Sequence, residues 1–136
     1  MLYSLLLQDS VAFRVELPPS VQAGEPVPVV LRLTNRTERP LTLVLQGRPL
    51  AFDVTVTGPD GAIVWRRLEG MVVQSILAVR TLAPAESLTF EARWNGRQRD
   101  GSPAPPGRYL VAGKLLTDTS EGLTTSPTPL ELLPHP

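Results

Sequence analysis

Residues 52–67 read FDVTVTGPDGAIVWRR, which is an alternating run, a four-residue turn and a second run of strand-forming residues. In the first run apolar residues alternate with polar ones, the period of a strand that buries one face. In the turn Pro59 sets its own φ, Asp60 caps the turn and Gly61 tolerates a positive φ. This stretch predicts a β-hairpin.

The same period of two recurs on both sides of the hairpin. Residues 71–80 also fit a helical stripe, but their β-branched content and the preceding Gly70 favour an extended conformation. About eight or nine short strands without a substantial helix predict an all-β, immunoglobulin-like antiparallel β-sandwich. The other alternating runs are residues 11–17, 27–33, 41–45, 88–94 and 109–116, with a weaker run at 123–133.

The length and composition limit the number of domains and the kinds of catalytic or metal-binding site that the chain can form. The chain has 136 residues, no cysteine, one histidine (His135), and 13 basic residues against 13 acidic ones. This length predicts one domain over residues 1–136, with a proline-rich C-terminal strand and tail at 117–136. The lack of cysteine excludes disulfide frameworks, zinc ribbons and thiol nucleophiles. We expect no cofactor and no bound metal.

The charge balance bears on whether the chain binds nucleic acid, and the apolar runs bear on whether it is secreted or spans a membrane. A formal net charge of zero argues against nucleic-acid binding. Residues 1–7 are mostly apolar, but a secretory signal needs a basic region before a longer apolar stretch, so we expect this run to pack against the domain edge. No run of about 20 apolar residues exists to span a membrane. The chain is therefore predicted to be cytoplasmic.

Three aromatic residues are predicted to have structural roles. Tyr109 follows Gly107 at the entry to a strand, where immunoglobulin-type sandwiches place a tyrosine whose hydroxyl bonds to backbone upstream. Trp65 and Trp94 lie in apolar alternations and are predicted to anchor the core. These predictions concern stability rather than function.

Carboxylate groups are the main remaining candidates for catalysis or metal binding. Asp53 with Glu69, or Asp60 with Asp100, would make an acid–base pair, but no spacing brings either pair together, and aspartates in turns are usually caps. Calcium binding by Asp60, Asp100 and Asp118 lacks the ligand series of an EF-hand. Without an activated nucleophile or a tuned acid–base pair, we expect that the protein is not an enzyme.

The chain resembles the BsuPI-type intracellular proteinase inhibitor family over residues 27–116. The resemblance implies a bacterial immunoglobulin-like domain that inhibits a cytoplasmic subtilisin-like serine proteinase. It carries over no inhibitory residue. The features that carry it, in chain order, are Leu31-Arg-Leu-Thr-Asn35, Phe52-Asp-Val-Thr-Val56, Asp60-Gly-Ala-Ile-Val-Trp65 leading into Gly70-Met71, Glu86, Trp94, Asp100-Gly101, Pro106-Gly-Arg-Tyr109, Val111 and Gly113.

If the chain is an inhibitor, the best candidate contact is the long turn at residues 95–106. Its prolines stiffen it, which lowers the entropic cost of docking. Arg48 is less suitable because Pro49 follows it. Since no disulfide braces the loops, we favour strand-edge pairing or occlusion over a substrate-like loop. The candidate partner-binding residues are Arg97, Arg99, Asp100, Pro103 and Pro105.

Two alternatives to this contact stay open. In the first, the turn is a solvated hairpin whose arginines serve solubility. In the second, the chain is a non-inhibitory protein–protein interaction or structural module that uses a sheet edge or a loop tip. Residues 123–133 are predicted to be an edge strand, so the chain is expected to be a monomer or a dimer paired through that edge.

Overall fold

The computed structural model describes residues 10–47 and 50–135. The apolar run at 1–7 and the Arg48–Pro49 pair lie outside these residues. No helix in the described ranges is long and apolar enough to cross a membrane. The strands are β1 (Val11–Glu16), β2 (Ser20–Gln22), β3 (Val27–Asn35), β4 (Leu41–Gln46), β5 (Phe52–Thr57), β6 (Ile63–Arg66), β7 (Leu77–Leu82), β8 (Ser87–Trp94), β9 (Gly107–Leu115), β10 (Leu123–Thr124) and β11 (Thr128–Leu133).

The strands form two facing sheets and a small ribbon. One sheet has the order β1-β3-β8, and the other has the order β2-β11-β9-β5-β6 with β10 paired to β9. Strands β4 and β7 form the two-stranded ribbon, which is joined to the chain after β9 by a bridge between Leu45 and Thr117. All of these pairings are antiparallel except β2 with β11. The predicted all-β, immunoglobulin-like sandwich is confirmed.

The core lies between the two larger sheets, where alternate residues of each strand point inward. In β3, Val27, Val29, Leu31 and Leu33 are buried while the residues between them are exposed or half-buried. On the opposite sheet Gly113 of β9 faces Leu31 so closely that a Cβ atom there would lie 2.5 Å from Leu31 Cδ2. The sheets therefore approach each other at a point where only glycine fits without a shift.

The predicted hairpin joins β5 to β6. The Gly58 amide donates to the Ala62 carbonyl at 2.9 Å, and Asp60 Oδ1 accepts from the Ala62 amide at 3.0 Å. Gly61 has φ of +85°, in the left-handed region that disfavours other residues. The turn residues therefore take the positions that their chemistry predicts.

Other details differ from the sequence prediction. The structure has two more strands than the upper estimate, because β2 is only three residues long and the predicted run at 123–133 divides into β10 and β11. The predicted strand at 71–80 begins only at Leu77 and continues to Leu82. Trp65 is half-buried against the core rather than enclosed, because β6 forms an edge of the described sheet.

The predicted edge strand at the C-terminus lies inside its sheet. β11 pairs with β9 on one side, and its residues Glu131 to Leu133 pair with β2 on the other. The prediction that this strand is an exposed edge is therefore wrong for residues 131–133. The physical reason is that three residues near the N-terminus, too few to show an alternation, supply its second partner.

Candidate functional site

The turn at residues 95–106, called here the arginine loop, folds as a hairpin with its own hydrogen bonds. The Gln98 amide donates to the Ser102 carbonyl at 2.7 Å, and the Ala104 amide donates to the Gly96 carbonyl at 2.8 Å. Ala104 is buried, so the loop is fastened to the sandwich. The arginine loop is therefore a braced projection rather than an open strand.

Two aromatic residues hold the base of the arginine loop. Trp94 is fully buried and donates from Nε1 to the Arg97 carbonyl at 2.8 Å. Tyr109 donates from its hydroxyl to the Pro105 carbonyl at 2.5 Å, and the two rings lie 5.8 Å apart. Burial, and then the charge of Asp60, raise the pKa of Tyr109, so its hydroxyl stays a donor. These contacts tie both ends of the loop to the core.

The charged candidates of the arginine loop contact the protein itself. Arg97 Nη1 donates to the Gly101 carbonyl at 2.9 Å, and Arg99 Nε donates to Glu69 Oε2 at 3.1 Å. Asp100 accepts bonds from the Ser102 hydroxyl and amide, which lower the pKa of the Asp100 carboxyl. The side chains of Arg97 and Asp100 therefore stabilise the loop, and that of Arg99 joins it to Glu69.

The prolines of the loop are placed differently. Pro103 and Pro105 are exposed, and Pro103 forms a bridge with Arg97 across the hairpin. Gly107 begins β9 directly after the loop. The stiffening predicted from the prolines is thus combined with cross-hairpin hydrogen bonds that the sequence did not predict.

A second surface feature, residues 71–77, was assigned to a strand from sequence and is instead an exposed apolar segment. Its first six residues run irregularly before β7 begins. Exposed apolar side chains that cluster on a protein surface commonly mark an interaction site. In this segment they stand on both sides of a half-buried Val73 and the polar residues Gln74 and Ser75. The exposed fractions are 57% for Met71, 95% for Val72, 40% for Ile76 and 58% for Leu77.

The N-terminal end of the apolar segment is held by a buried carboxylate. Asp53 is 6% exposed, and its Oδ1 accepts from the Leu68 amide at 3.0 Å while its Oδ2 accepts from Arg66 Nη2 at 3.2 Å. The Met71 amide then donates to the Leu68 carbonyl at 3.0 Å. The chain therefore leaves the sandwich at a fixed point.

Arg67 adds a second attachment at the same end. Its guanidinium lies over the Phe52 ring, 3.8 Å from the ring centre, and its Nη1 donates to the Phe52 carbonyl at 2.7 Å. Burial lowers the pKa of Arg67, with an opposing contribution from the charge of Asp53. The opposite end of the segment is held where the Gly47 amide donates to the Ile76 carbonyl at 2.8 Å.

The arginine loop and the apolar segment lie side by side. A surface groove of about 310 Å³ runs between them, lined by residues that include Trp65, Met71 and Arg97. The ion pair between Arg99 and Glu69 crosses the same boundary. The arginine loop and the start of the segment, at Met71, therefore border the same groove.

The carboxylates considered for catalysis have other partners. Asp53 pairs with Arg66, Glu69 with Arg99, Asp60 caps its turn, and Asp100 bonds to Ser102. Within residues 10–47 and 50–135 no group of three or more histidine, aspartate or glutamate side chains is placed to hold a metal ion. The four carboxylates that the sequence analysis considered for acid–base pairs are thus each engaged in structural contacts.

One feature of the sequence argues against a strand at the start of the apolar segment. No charged residue occurs between Glu69 and Arg80, and the apolar residues there do not alternate. A half-buried strand requires apolar and polar residues to alternate. The lack of alternation here therefore argues against a paired strand. No feature of the sequence predicted that Asp53 holds the chain before the segment, because its partners Arg66 and Leu68 lie on β6 and just after it.

Solved structures with a similar fold come from proteins of unrelated kinds. The alkylpurine DNA glycosylase AlkC of Pseudomonas fluorescens is 16% identical over 91% of this chain, with a TM-score of 0.50. A β-glucosidase from Erythrobacter marinus is 13% identical over 91%, also with a TM-score of 0.50. This chain spans 30% and 15% of those two chains, and at such identity the likeness shows the fold alone.

A CARDB domain from Pyrococcus furiosus gives a further structural match. It is 11% identical over 90% of this chain and 87% of its own, with a TM-score of 0.46. No curated protein matches the sequence.

The family comparison is more informative than the fold. The BsuPI family model, described as an intracellular proteinase inhibitor, matches residues 15–119. The match runs from within β1 to just beyond β9, so it includes the arginine loop and the apolar segment. The family is one of inhibitors rather than enzymes, and it implies a proteinase as partner. This chain belongs to the BsuPI family of intracellular proteinase inhibitors.

Proposed function

We propose that this protein binds and inhibits a subtilisin-like serine proteinase in the bacterial cytoplasm. The observation that carries the proposal is the family match over residues 15–119, which takes in all the strands of both facing sheets except the start of β1 and the whole of β10 and β11. An inhibitor of this kind needs a shaped binding surface and no catalytic groups of its own. The braced sandwich, with side chains engaged in structural contacts, suits that requirement.

The end of the sandwich that carries the arginine loop and the apolar segment is the proposed contact surface. A surface that is ordered before binding loses less conformational entropy on docking. The hydrogen bonds from Trp94 and Tyr109 order the loop, and those from Asp53 order the start of the segment. Pro103, Pro105 and the paired Arg97, Arg99 and Asp100 would then flank the contact.

Titration of the purified protein into proteinase assays tests this function. We expect micromolar or lower concentrations to slow peptide hydrolysis by a subtilisin-like enzyme and to leave cysteine and metalloproteinases unaffected. A stable complex on size-exclusion chromatography should accompany the inhibition. Full activity of several subtilisin-like enzymes at saturating protein would contradict the proposal.

The alternative is a non-inhibitory binding module that uses a sheet edge. The edge strand β6 supports it, because Ile63 on that strand is 42% exposed. Exposed edge strands are templates for pairing with another chain. Two results together would favour the module: Ile63→Lys abolishes binding of the partner, and the unaltered protein does not inhibit subtilisin-like enzymes.

A further inference from the structure

The apolar segment lies between two fixed ends. Its ends are held at the Met71 amide and the Ile76 carbonyl. Within the described residues, no backbone-to-backbone hydrogen bond involves residues 72–75. A partner that recognises such a stretch of chain forms hydrogen bonds with its main chain and holds its side chains in pockets.

The side chains of the segment match one kind of partner. The stretch between Glu69 and Arg80 carries no charge, and Val72 extends almost completely into solvent. Apolar side chains gain free energy when they enter an apolar pocket, whereas a charge in this run would be costly to desolvate. A cleft that pairs with an extended backbone and receives apolar side chains is the substrate site of a proteinase.

The two ends of the segment belong to different parts of the sandwich. The entry follows β6 and is fixed through Asp53 of β5, while the exit runs into β7, which pairs with β4. This arrangement fixes residues 71–76 at both ends without a disulfide. Holding both ends lowers the entropic cost of presenting the chain in an extended form.

We propose that residues 71–77 insert as a substrate-like strand into the active-site cleft of the target proteinase, with Val72 as the principal side chain in an apolar specificity pocket. This inference rests on the proposed inhibitory function and assigns its contact. It also departs from the expectation of occlusion or edge pairing, because the hydrogen bonds that hold Leu68 and Ile76 replace the brace that a disulfide would supply.

Replacement of Val72 by aspartate is the main test, with Leu110→Asp as the matched control. Leu110 is 45% exposed on β9, so both variants add a carboxylate at an exposed apolar position. We expect Val72→Asp to raise the inhibition constant for a subtilisin-like proteinase by at least about 30-fold, from the lost apolar burial and the buried charge. Leu110→Asp should change it less than about threefold.

The outcomes separate the inference from the function on which it rests. Inhibition by the unaltered protein and equally by Val72→Asp overturns the inference but leaves the proposed function standing. An equal loss in both variants overturns the inference as well. No inhibition by the unaltered protein overturns both. Far-UV circular dichroism should be the same for all three proteins, and melting curves should show no loss for Val72→Asp and at most a moderate loss for Leu110→Asp, which is partly buried on a paired strand.

Slow proteolysis supplies a second measurement. A substrate-like segment is cleaved slowly when the proteinase is in excess, so we expect mass spectrometry to find the first cut within residues 71–77. A first cut in the arginine loop would overturn the inference and assign the contact to that loop. A dimer of this protein that dissociates in Val72→Asp, without a change in inhibition, would assign the segment to self-association and also overturn it.

Discussion

The guanidinium of Arg99 pairs with the carboxylate of Glu69 across 30 residues of sequence, with Nε 3.1 Å from Oε2. Half of each side chain or somewhat less is exposed, at 50% for Arg99 and 40% for Glu69. The pair joins the tip of the arginine loop to the chain just before the apolar segment. Arg99, a candidate partner-binding residue, thus also connects the arginine loop to the chain before the apolar segment.

Removal of both loop arginines is expected to have a small effect on inhibition. In Arg97→Ala/Arg99→Ala the guanidinium contacts to Gly101 and Glu69 are lost, but the apolar segment keeps its attachments to Asp53 and Gly47. Charged groups at the rim of an interface usually contribute little, so we expect the inhibition constant to rise less than about tenfold. The same enzyme titration measures it, beside Val72→Asp.

The stability of this double variant provides its control. An exposed ion pair contributes about 0.2–1 kcal/mol, so urea denaturation should show a small loss that decreases with added salt. Weakening of inhibition as large as that of Val72→Asp, in a variant with nearly unchanged stability, would make the arginine loop the principal contact.

Tyr109→Phe is expected to lower the free energy of unfolding by about 1 kcal/mol. The substitution keeps the ring against Trp94 but removes the hydroxyl that donates to the Pro105 carbonyl at 2.5 Å. A lost hydrogen bond of a buried side chain costs about this much. Urea denaturation measures the change, and an unfolding free energy equal to that of the unaltered protein would show that the bond contributes nothing to stability.

Gly113→Ala is expected to destabilise the protein by about 1–3 kcal/mol through overpacking. Its new methyl group would lie 2.5 Å from Leu31 Cδ2 and 2.7 Å from Cδ1, so the leucine or the facing sheet must move. Thermal and urea denaturation measure the loss.

The double variant Leu31→Ala/Gly113→Ala is the matched control. Leu31→Ala alone leaves a cavity and costs about 2–5 kcal/mol, and the added methyl group of the double variant has room in that cavity. The two effects should therefore sum to more than the measured loss in the double variant. Simple additivity would show that the two side chains do not contact each other.

The stability of the β1–β3 pairing is expected to depend on pH through Glu16. Arg32 binds both oxygens of the Glu16 carboxylate, at 3.0 and 3.1 Å, and Arg14 donates to Oε2 at 3.0 Å. The hydrogen bond from Arg32, and then that from Arg14, hold the pKa of Glu16 below its ordinary value of 4.5. The ionised carboxylate is therefore favoured in the folded state.

The sign of this dependence follows from the lowered pKa. The stabilisation is fully present above pH 4.5 and is lost as the pH falls below 4.5 and through the pKa of the folded state. We expect the melting temperature of Glu16→Gln to be below that of the unaltered protein at neutral pH, with the two converging in acid. A difference that persists unchanged to about pH 3 would contradict the assignment. Added salt at neutral pH should narrow it.

The two-residue period predicted most of the fold but not the partners of the strands. The hairpin at 52–67 and the inward residues of β3 appear where alternation placed them. The position of β11 inside its sheet was missed because β2 is only three residues long. Periodicity reports which face of a strand is buried, whereas the neighbour of a strand depends on residues far away in the chain.

The candidate site was only partly open to prediction. The residue types at 95–106 predicted a turn there, since proline and glycine favour turns through their own backbone conformations. Composition did not show that Arg97 and Arg99 bond within the protein, because their acceptors include a carbonyl at the far side of the hairpin and a carboxylate on another segment. The exposed apolar segment was mistaken for a strand for the same reason: an apolar residue does not reveal whether a second layer covers it.

The amino-acid order by itself determined that this chain is a β-sandwich with no cysteine and one histidine, and it carried the family features. These properties depend on residue type and on short spacings, which a linear pattern contains. Only the tertiary structure decided that most side chains of residues 71–77 are exposed and that Asp53 holds Leu68, three residues before them. Exposure and polar pairing depend on which distant segments meet, and that is settled when the sheets pack.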